Sequence, residues 1–293
     1  MVDFTFIGIG NMGEPMVNNL LKKGFTVSVF DINKKIYDNF SNKKVIKLDG
    51  FESTKIAKNI ITMLPDGKSL KNLINNKIFL KCLKKNSYFV DCSTADYETI
   101  VNVENQLKEK GVNFFDAPVS GGIAGAKNGT LTIMVGGDKK KFSKVKKILE
   151  PFGKNIIYIG SIGSGQIVKA CNNMMLGINM IGLSEAFTLA KKYKIDKKIL
   201  FNVCSKSTSS SWAMLNHLPV KGIVKTAAAN KNFTPGYSSK LINKDLKIAK
   251  DMAKKVRLKL SLGFKASKLF DSFCKQGKYN LDYSAIIKIL KIK

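Results

Sequence analysis

The chain has 293 residues, 44 % of them hydrophobic, which is enough apolar material for one large domain or two of ordinary size. Its formal charge is +29, yet Arg257 is the only arginine and the lysines are spread along the whole length, so a dedicated nucleic-acid surface is not expected. The five cysteines are scattered without a CxxC pair, which fits reduced thiols and excludes a disulfide or zinc framework.

The first strand-like run, Phe4–Ile7, leads into Gly8-Ile-Gly10-Asn11-Met12-Gly13. One glycine makes the tight turn, the next lets the backbone approach a pyrophosphate, and the third lets helix pack on strand. The helix that follows carries Met12, Met16, Val17, Leu20 and Leu21 at three-to-four-residue spacing, and Gly24 stands where a glycine would stop it. Its first N–H groups would face a phosphate. The next strand, Thr26–Phe30, is closed by Asp31 about twenty residues on, where a carboxylate accepts from the adenine ribose hydroxyls. That carboxylate would repel a 2′-phosphate, so NAD is favoured over NADP, although Asn33, Lys34 and Lys35 follow and leave some NADP use open.

Strand-like runs continue at Lys44–Leu48, Ile60–Leu64, Tyr88–Cys92, Phe114–Asp116, Leu131–Val135 and Ile156–Ile159, with helical stretches such as Lys68–Ile74 and Thr99–Lys110 between them. This alternation predicts a doubly wound, mostly parallel α/β sheet. After about Gly163 strand signals stop. Helical patterns follow at Gly165–Lys192, Lys197–Ser205, Leu241–Val256 and Leu262–Lys275. We therefore expect a nucleotide-binding α/β domain over residues 1–163 and an all-α domain over 164–293, joined by a long helix of about 40 Å at ~1.5 Å per residue. No apolar run is long enough for a membrane span. The early first strand leaves no room for a targeting peptide, so a cytoplasmic location is expected.

His217 is the only histidine, which argues against histidine-based dehydrogenase chemistry and multi-histidine metal sites. It is expected in a solvated loop. Lys169 and Asn173, four residues apart on one helical face among apolar and small residues, are better placed for chemistry. A lysine there can give a proton to a carbonyl oxygen or take one from an alcohol, provided desolvation or a second cation lowers its usual pKa of ~10.4. Lys244 is the candidate second cation. Asp116-Ala-Pro-Val-Ser120-Gly121-Gly122 enters a glycine-rich stretch whose N–H groups, with the Ser120 hydroxyl, suit a carboxylate; an ordinary turn is the alternative. Leu64, Pro65 and Thr94 follow strands whose carboxyl ends border a ligand crevice in such sheets. Tyr193-Lys-Ile-Asp-Lys197 matches a YxxxK pattern, but at a helix end in the helical half, and is read as chance.

Gly8–Met16, Asp116–Gly122, Gly129-Thr-Leu-Thr-Ile-Met-Val-Gly-Gly137, Gly165-Gln-Ile-Val-Lys169-Ala-Cys-Asn-Asn173 and Lys244-Asp-Leu246 occur in order over nearly the whole chain. In them the chain resembles the β-hydroxyacid dehydrogenase family. The resemblance implies a Rossmann domain followed by an all-α domain that mediates homodimers or homotetramers. It implies Lys169 as catalytic acid/base with Asn173 assisting. Ser120, Gly121 and Gly122 would hold a substrate carboxylate. Gly8, Gly10, Asn11, Met12, Gly13, Asp31, Leu64, Pro65, Thr94 and Lys244 would contact or border NAD, with no metal. The implied activity is oxidation of 3-hydroxyisobutyrate, as in valine breakdown. Tartronate semialdehyde or succinic semialdehyde reduction is the alternative, and a DNA-associated scaffold a remote one. Ser69 departs from the family, which often has Asn there. Trp212 and Phe233 could shape a pocket or belong to the core.

Overall fold

The computed structural model describes residues 2–51 and 56–290, and these form two compact units, Met1–Lys169 and Ala170–Lys293. The first is built on a sheet of β1 (Phe4–Ile7), β2 (Val27–Phe30), β3 (Val45–Lys47), β4 (Asn59–Thr62), β5 (Tyr88–Asp91), β6 (Asn113–Asp116), β7 (Val119–Ser120), β8 (Leu131–Gly136) and β9 (Gly153–Gly160). The order is β3-β2-β1-β4-β5-β6-β8-β7, with β9 beside β8. Strands β1 to β6 are all parallel, β8 runs antiparallel to β6 and β7, and β9 runs parallel to β8. The chain order reverses between β2 and β4, on either side of β1, which is the switch point where ligands bind in such sheets.

Alternation along the strands fills two cores, one on each face of the sheet. Phe6, Ile61, Val90 and Phe115 point to one face and pack with Met16, Val17 and Leu20 of α1 (Gly13–Lys22). Ile7, Ile60, Phe89 and Phe114 point to the other, against α2 (Gly67–Ile74), α3 (Lys77–Cys82) and α4 (Tyr97–Glu109). Helix α1 ends as its sequence requires: Gly24 takes φ +88° just past the last turn. Three short elements lie outside the periodic pattern. These are β7, α5 (Gly122–Asn128) and α6 (Phe142–Leu149). The glycine-rich stretch after Ser120 is therefore mostly helix rather than loop.

Helix α7 (Ser164–Lys192) has 29 residues and continues from the first unit into the second. Its start is buried, so its first N–H groups need acceptors. Asp116, at the end of β6, supplies them. Oδ1 accepts from Gly163 N at 2.7 Å and Oδ2 from Gln166 N at 3.0 Å. Two glycines make room. A Cβ on Gly136 would stand 2.3 Å from Asp116 Oδ1, and one on Gly165 would stand 2.3 Å from the Met134 carbonyl.

The second unit is helical, with α8 (Lys197–Cys204), α9 (Trp212–His217), α10 (Ser239–Lys255) and α11 (Ser261–Phe273) added to the rest of α7. Its core joins Met180, Leu183 and Phe187 of α7 to Ile242 and Leu246 of α10, Phe270 and Phe273 of α11, and Tyr283. Gly177 lets α10 approach, with Leu246 methyls 3.3 Å from where its Cβ would be. The expected loop around His217 is instead α9, started by Ser211, whose hydroxyl accepts from Met214 N at 3.2 Å. His217 is half-buried rather than solvated. Its Nδ1 lies 3.1 Å from the Tyr283 hydroxyl, its ring packs against Trp212, and burial pushes its pKa below the usual value. Among the described residues no helix is long and apolar enough to cross a membrane.

Burial pushes the Asp116 carboxyl up to about 6, while the Gly163 and Gln166 N–H groups pull it down. Between pH 4 and pH 6 the folded state therefore keeps a proton that the unfolded state releases. This group's contribution makes stability fall as pH rises through that window. Asp116→Asn should abolish that component. Urea unfolding at pH 4.5 and pH 7 should show the wild type losing on the order of 2 kcal/mol relative to the variant. Parallel pH dependence in the two proteins would contradict it.

Candidate active site

The glycine turn after β1 is held from three sides. Gly8 takes φ +89°, and a Cβ on it would stand 2.5 Å from the Met63 carbonyl. A Cβ on Gly13 would stand 1.9 Å from the Gly8 carbonyl. Gly10 differs, since its Cβ would meet nothing within 4 Å. Two glycines are thus required by the protein's own packing, and the middle one faces open space in front of the α1 N-terminus. Asn11 is exposed and Met12 half-buried at the first turn.

Asp31 braces this turn. Its Oδ2 accepts from Ile9 N at 2.9 Å and its Oδ1 from Asn33 N at 2.8 Å. A carboxylate has about four lone-pair sites, so capacity for hydroxyl donors remains. Lys34 is turned away to other work. Its Nζ donates to the Leu48 carbonyl at 2.8 Å and to the Tyr37 hydroxyl at 3.1 Å, and stands over the Phe30 ring.

At the carboxyl ends of β4, β5 and β6, Thr62, Asp91 and Asp116 lie in register. The Thr62 hydroxyl and the Ser93 hydroxyl each donate to Asp91 Oδ1 at 2.6 Å. Ser93 Oγ in turn accepts from Leu64 N at 2.8 Å, so buried Asp91 fixes the segment that carries Leu64 and Pro65. Ser69 sits in the first turn of α2, its hydroxyl donating to Asp66 at 2.8 Å. Ser120 pairs with Thr132 across β7 and β8. Gly121 and Gly122 follow with φ +133° and +62°, a pair of conformations that side chains resist.

Lys169 lies on α7 and is only 8 % exposed. Three residues earlier, Gln166 is bound to Asp116 through its backbone N–H. In the second unit, Asn173 is 2 % exposed. Its Nδ2 donates to Asp245 Oδ2 at 2.7 Å and to the Tyr237 hydroxyl at 3.3 Å. Tyr237 also donates to Asp245 Oδ2. Burial, and next the Asp245 charge, push the Tyr237 phenol well above its usual range, so it stays a donor at neutral pH. Lys244 Nζ lies 3.4 Å from Asp245 Oδ1. Trp212 is exposed. Phe233 is buried with φ +61° under the Lys288 ammonium. Tyr193 follows the end of α7 and Lys197 opens α8, donating to the Lys221 carbonyl at 2.8 Å, so the YxxxK pair shares no helix. Sequence reasoning placed Asp91 and Asp116 at strand ends on the crevice edge but gave them no role, and it gave none to Gln166, Tyr237 or Asp245.

Residues 3–160 match the model described as the NAD binding domain of 6-phosphogluconate dehydrogenase. Residues 163–290 match the NAD-binding domain of NADP-dependent 3-hydroxyisobutyrate dehydrogenase. The mitochondrial 3-hydroxyisobutyrate dehydrogenase of Drosophila melanogaster is 38 % identical over 289 residues, covering 98 % of this chain and 88 % of that protein. The 3-hydroxyisobutyrate dehydrogenase of Pseudomonas aeruginosa is 36 % identical over the full length of both chains. The chain belongs to the β-hydroxyacid dehydrogenase family. The Mycobacterium tuberculosis 3-hydroxyisobutyrate dehydrogenase, solved with L-serine, superposes with a TM-score of 0.92 at 35 % identity over the whole of both chains. The protein is an NAD(P)-dependent hydroxyacid dehydrogenase, and the open face at Gly10 beside the braced Asp31 fits such a dinucleotide.

The three glycines should separate by experiment. Gly13→Ala, driven into the Gly8 carbonyl, should cost about 2 kcal/mol or more in urea unfolding. Gly10→Ala should keep stability within about 1 kcal/mol while weakening NAD binding at least tenfold by titration. Equal stability losses would refute this division.

Proposed function

We propose that this enzyme oxidises 3-hydroxyisobutyrate to methylmalonate semialdehyde with NAD, the reaction of valine breakdown. The observation that carries the reading is Lys169, a buried lysine one helical turn from buried Asn173, in a chain that aligns end to end with 3-hydroxyisobutyrate dehydrogenases. Bound at the glycine turn and Asp31, NAD supplies the hydride acceptor. Lys169 Nζ takes the alcohol proton during oxidation and returns it to the carbonyl oxygen during reduction. Asn173, held by Asp245 and Tyr237, orients the substrate through its amide. Ser120, Gly121 and Gly122 receive the carboxylate. Leu64, Pro65 and Thr94 border the cofactor, and Lys244 adds a second positive charge. In this reading residues 1–163 bind the dinucleotide and 164–293 serve substrate binding and assembly.

The NAD preference rests on two contacts. Asp31 presents a carboxylate to the adenine ribose, and the Lys34 ammonium is already committed to Leu48, Tyr37 and the Phe30 ring. A 2′-phosphate would meet repulsion without that cation as a partner. Exposed apolar side chains on α7 and α8, among them Met175, Leu189, Ile199 and Val203, support a dimer or tetramer of this chain.

Initial rates over several short hydroxy acids with each cofactor should give the highest kcat/KM for 3-hydroxyisobutyrate with NAD. A higher value for tartronate or 4-hydroxybutyrate overturns the substrate assignment. Asp31→Ser should lower the NAD-to-NADP ratio of kcat/KM by about tenfold or more. Lys169→Ala should cut kcat by ~10² or more with NAD binding little changed, and retained turnover would refute its role.

A further inference from the structure

Gln166 is 1 % exposed, and both ends of its carboxamide are used. Its Oε1 accepts from Ala95 N at 3.1 Å and its Nε2 donates to the Ser93 carbonyl at 2.9 Å. The two bonds bracket Thr94. The backbone of Gln166 is itself fixed, because its N–H donates to buried Asp116. Ser93 is held independently through its hydroxyl by Asp91. One side chain thus fastens the segment after β5 to the first turn of α7, three residues before Lys169.

We propose that Gln166 is a positioning residue for the dehydrogenase reaction. It sets the segment carrying Thr94 and the turn carrying Lys169 at one fixed separation, so that proton transfer at Lys169 Nζ occurs in register with the bound cofactor. The proposal rests on the roles given above to Lys169 and Thr94. Burial alone does not require an amide at this position. An apolar side chain of the same length would fill the space, but would leave a buried N–H and a buried C=O without partners. What the amide adds is direction, since a donor and an acceptor at fixed spacing accept one placement of the 93–95 backbone.

Gln166→Met keeps the length and loses both bonds. Gln166→Glu keeps an acceptor for Ala95 and loses the donor to Ser93. In the full-length enzyme, Gln166→Met should lower kcat ten- to a hundredfold and raise the solvent deuterium isotope effect on kcat. The Ala95 amide should exchange its hydrogen at least tenfold faster. Gln166→Glu should fall between Met and wild type in all three. Leu149→Ala, a core change behind the sheet, controls for lost stability and should leave the isotope effect unchanged. A folded Gln166→Met enzyme with wild-type kcat and isotope effect overturns the proposal, as does an equal change in the Leu149→Ala control. If Gln166→Met does not fold, wild-type kinetics in Gln166→Glu overturn it equally. Loss in Gln166→Met beside full activity in Lys169→Ala would instead overturn the assignment of Lys169.

Discussion

The start of the long helix is the constraint on which the candidate site depends. A helix that begins inside a protein has donors with no water to satisfy them, and one buried carboxylate answers two of them here. The choice has consequences along the chain. Asp116 must end its strand level with Asp91, the residues facing its oxygens must lack a Cβ, and the helix can start only where its N–H groups meet those oxygens. The phase of α7 follows from this. With 3.6 residues per turn, fixing Gln166 fixes the direction in which Lys169 leaves the helix. The carboxylate is costly in its ionised form, as its raised pKa shows, and it offers one oxygen to each of the two donors.

Two acids side by side in neighbouring strands would repel if both were left bare. The fold separates their duties. Asp91 is wrapped by hydroxyls, from Thr62 and Ser93, and passes its effect on to the Leu64 backbone. Asp116 is wrapped by backbone amides and passes its effect to the helix. The segments proposed to border the cofactor are thus secured by polar groups in the layer beneath them. The same economy holds at Asp31, whose carboxylate braces the glycine turn before any ribose is considered. On the role proposed above for Asp31, a substitution there would alter the turn as well as cofactor choice.

Much of the architecture was legible because its signals are local and periodic. Phe4–Ile7 reads as a strand from its apolar run, α1 from its 3.6-residue stripe, and its end from Gly24. The glycines at 8, 10 and 13 read correctly as a turn. Their division of labour was legible too: Gly8 makes the turn, Gly13 serves close packing, and Gly10 faces open space where a pyrophosphate could approach. What escaped was short or long-range. Strand β7 is two residues paired to a partner a dozen positions on, and α5 has too few turns to show a period among its glycines. Helix α9 hid because Leu215-Asn-His-Leu-Pro carries turn-forming residues, and its Ser211 cap was the unread signal. Lys169 and Asn173 stood out by spacing. Gln166, Tyr237 and Asp245 could not, since their meaning lies in partners as far as 73 residues away.

Lys169 stands apart from the other cations in its burial. A net charge of +29 says little about function while the ammonium groups stay in water, where their mutual repulsion is screened within about 10 Å. Lys34 shows a second fate, its head neutralised in effect by a carbonyl, a phenol and a ring. Lys169 is different in kind, being carried by a helix whose register the sheet dictates and shielded from solvent at 8 % exposure. Placing a lysine there costs desolvation that an alanine or leucine would avoid. On the role proposed above for Lys169, the use of an amine at this position is to move one proton between an alcohol and its carbonyl.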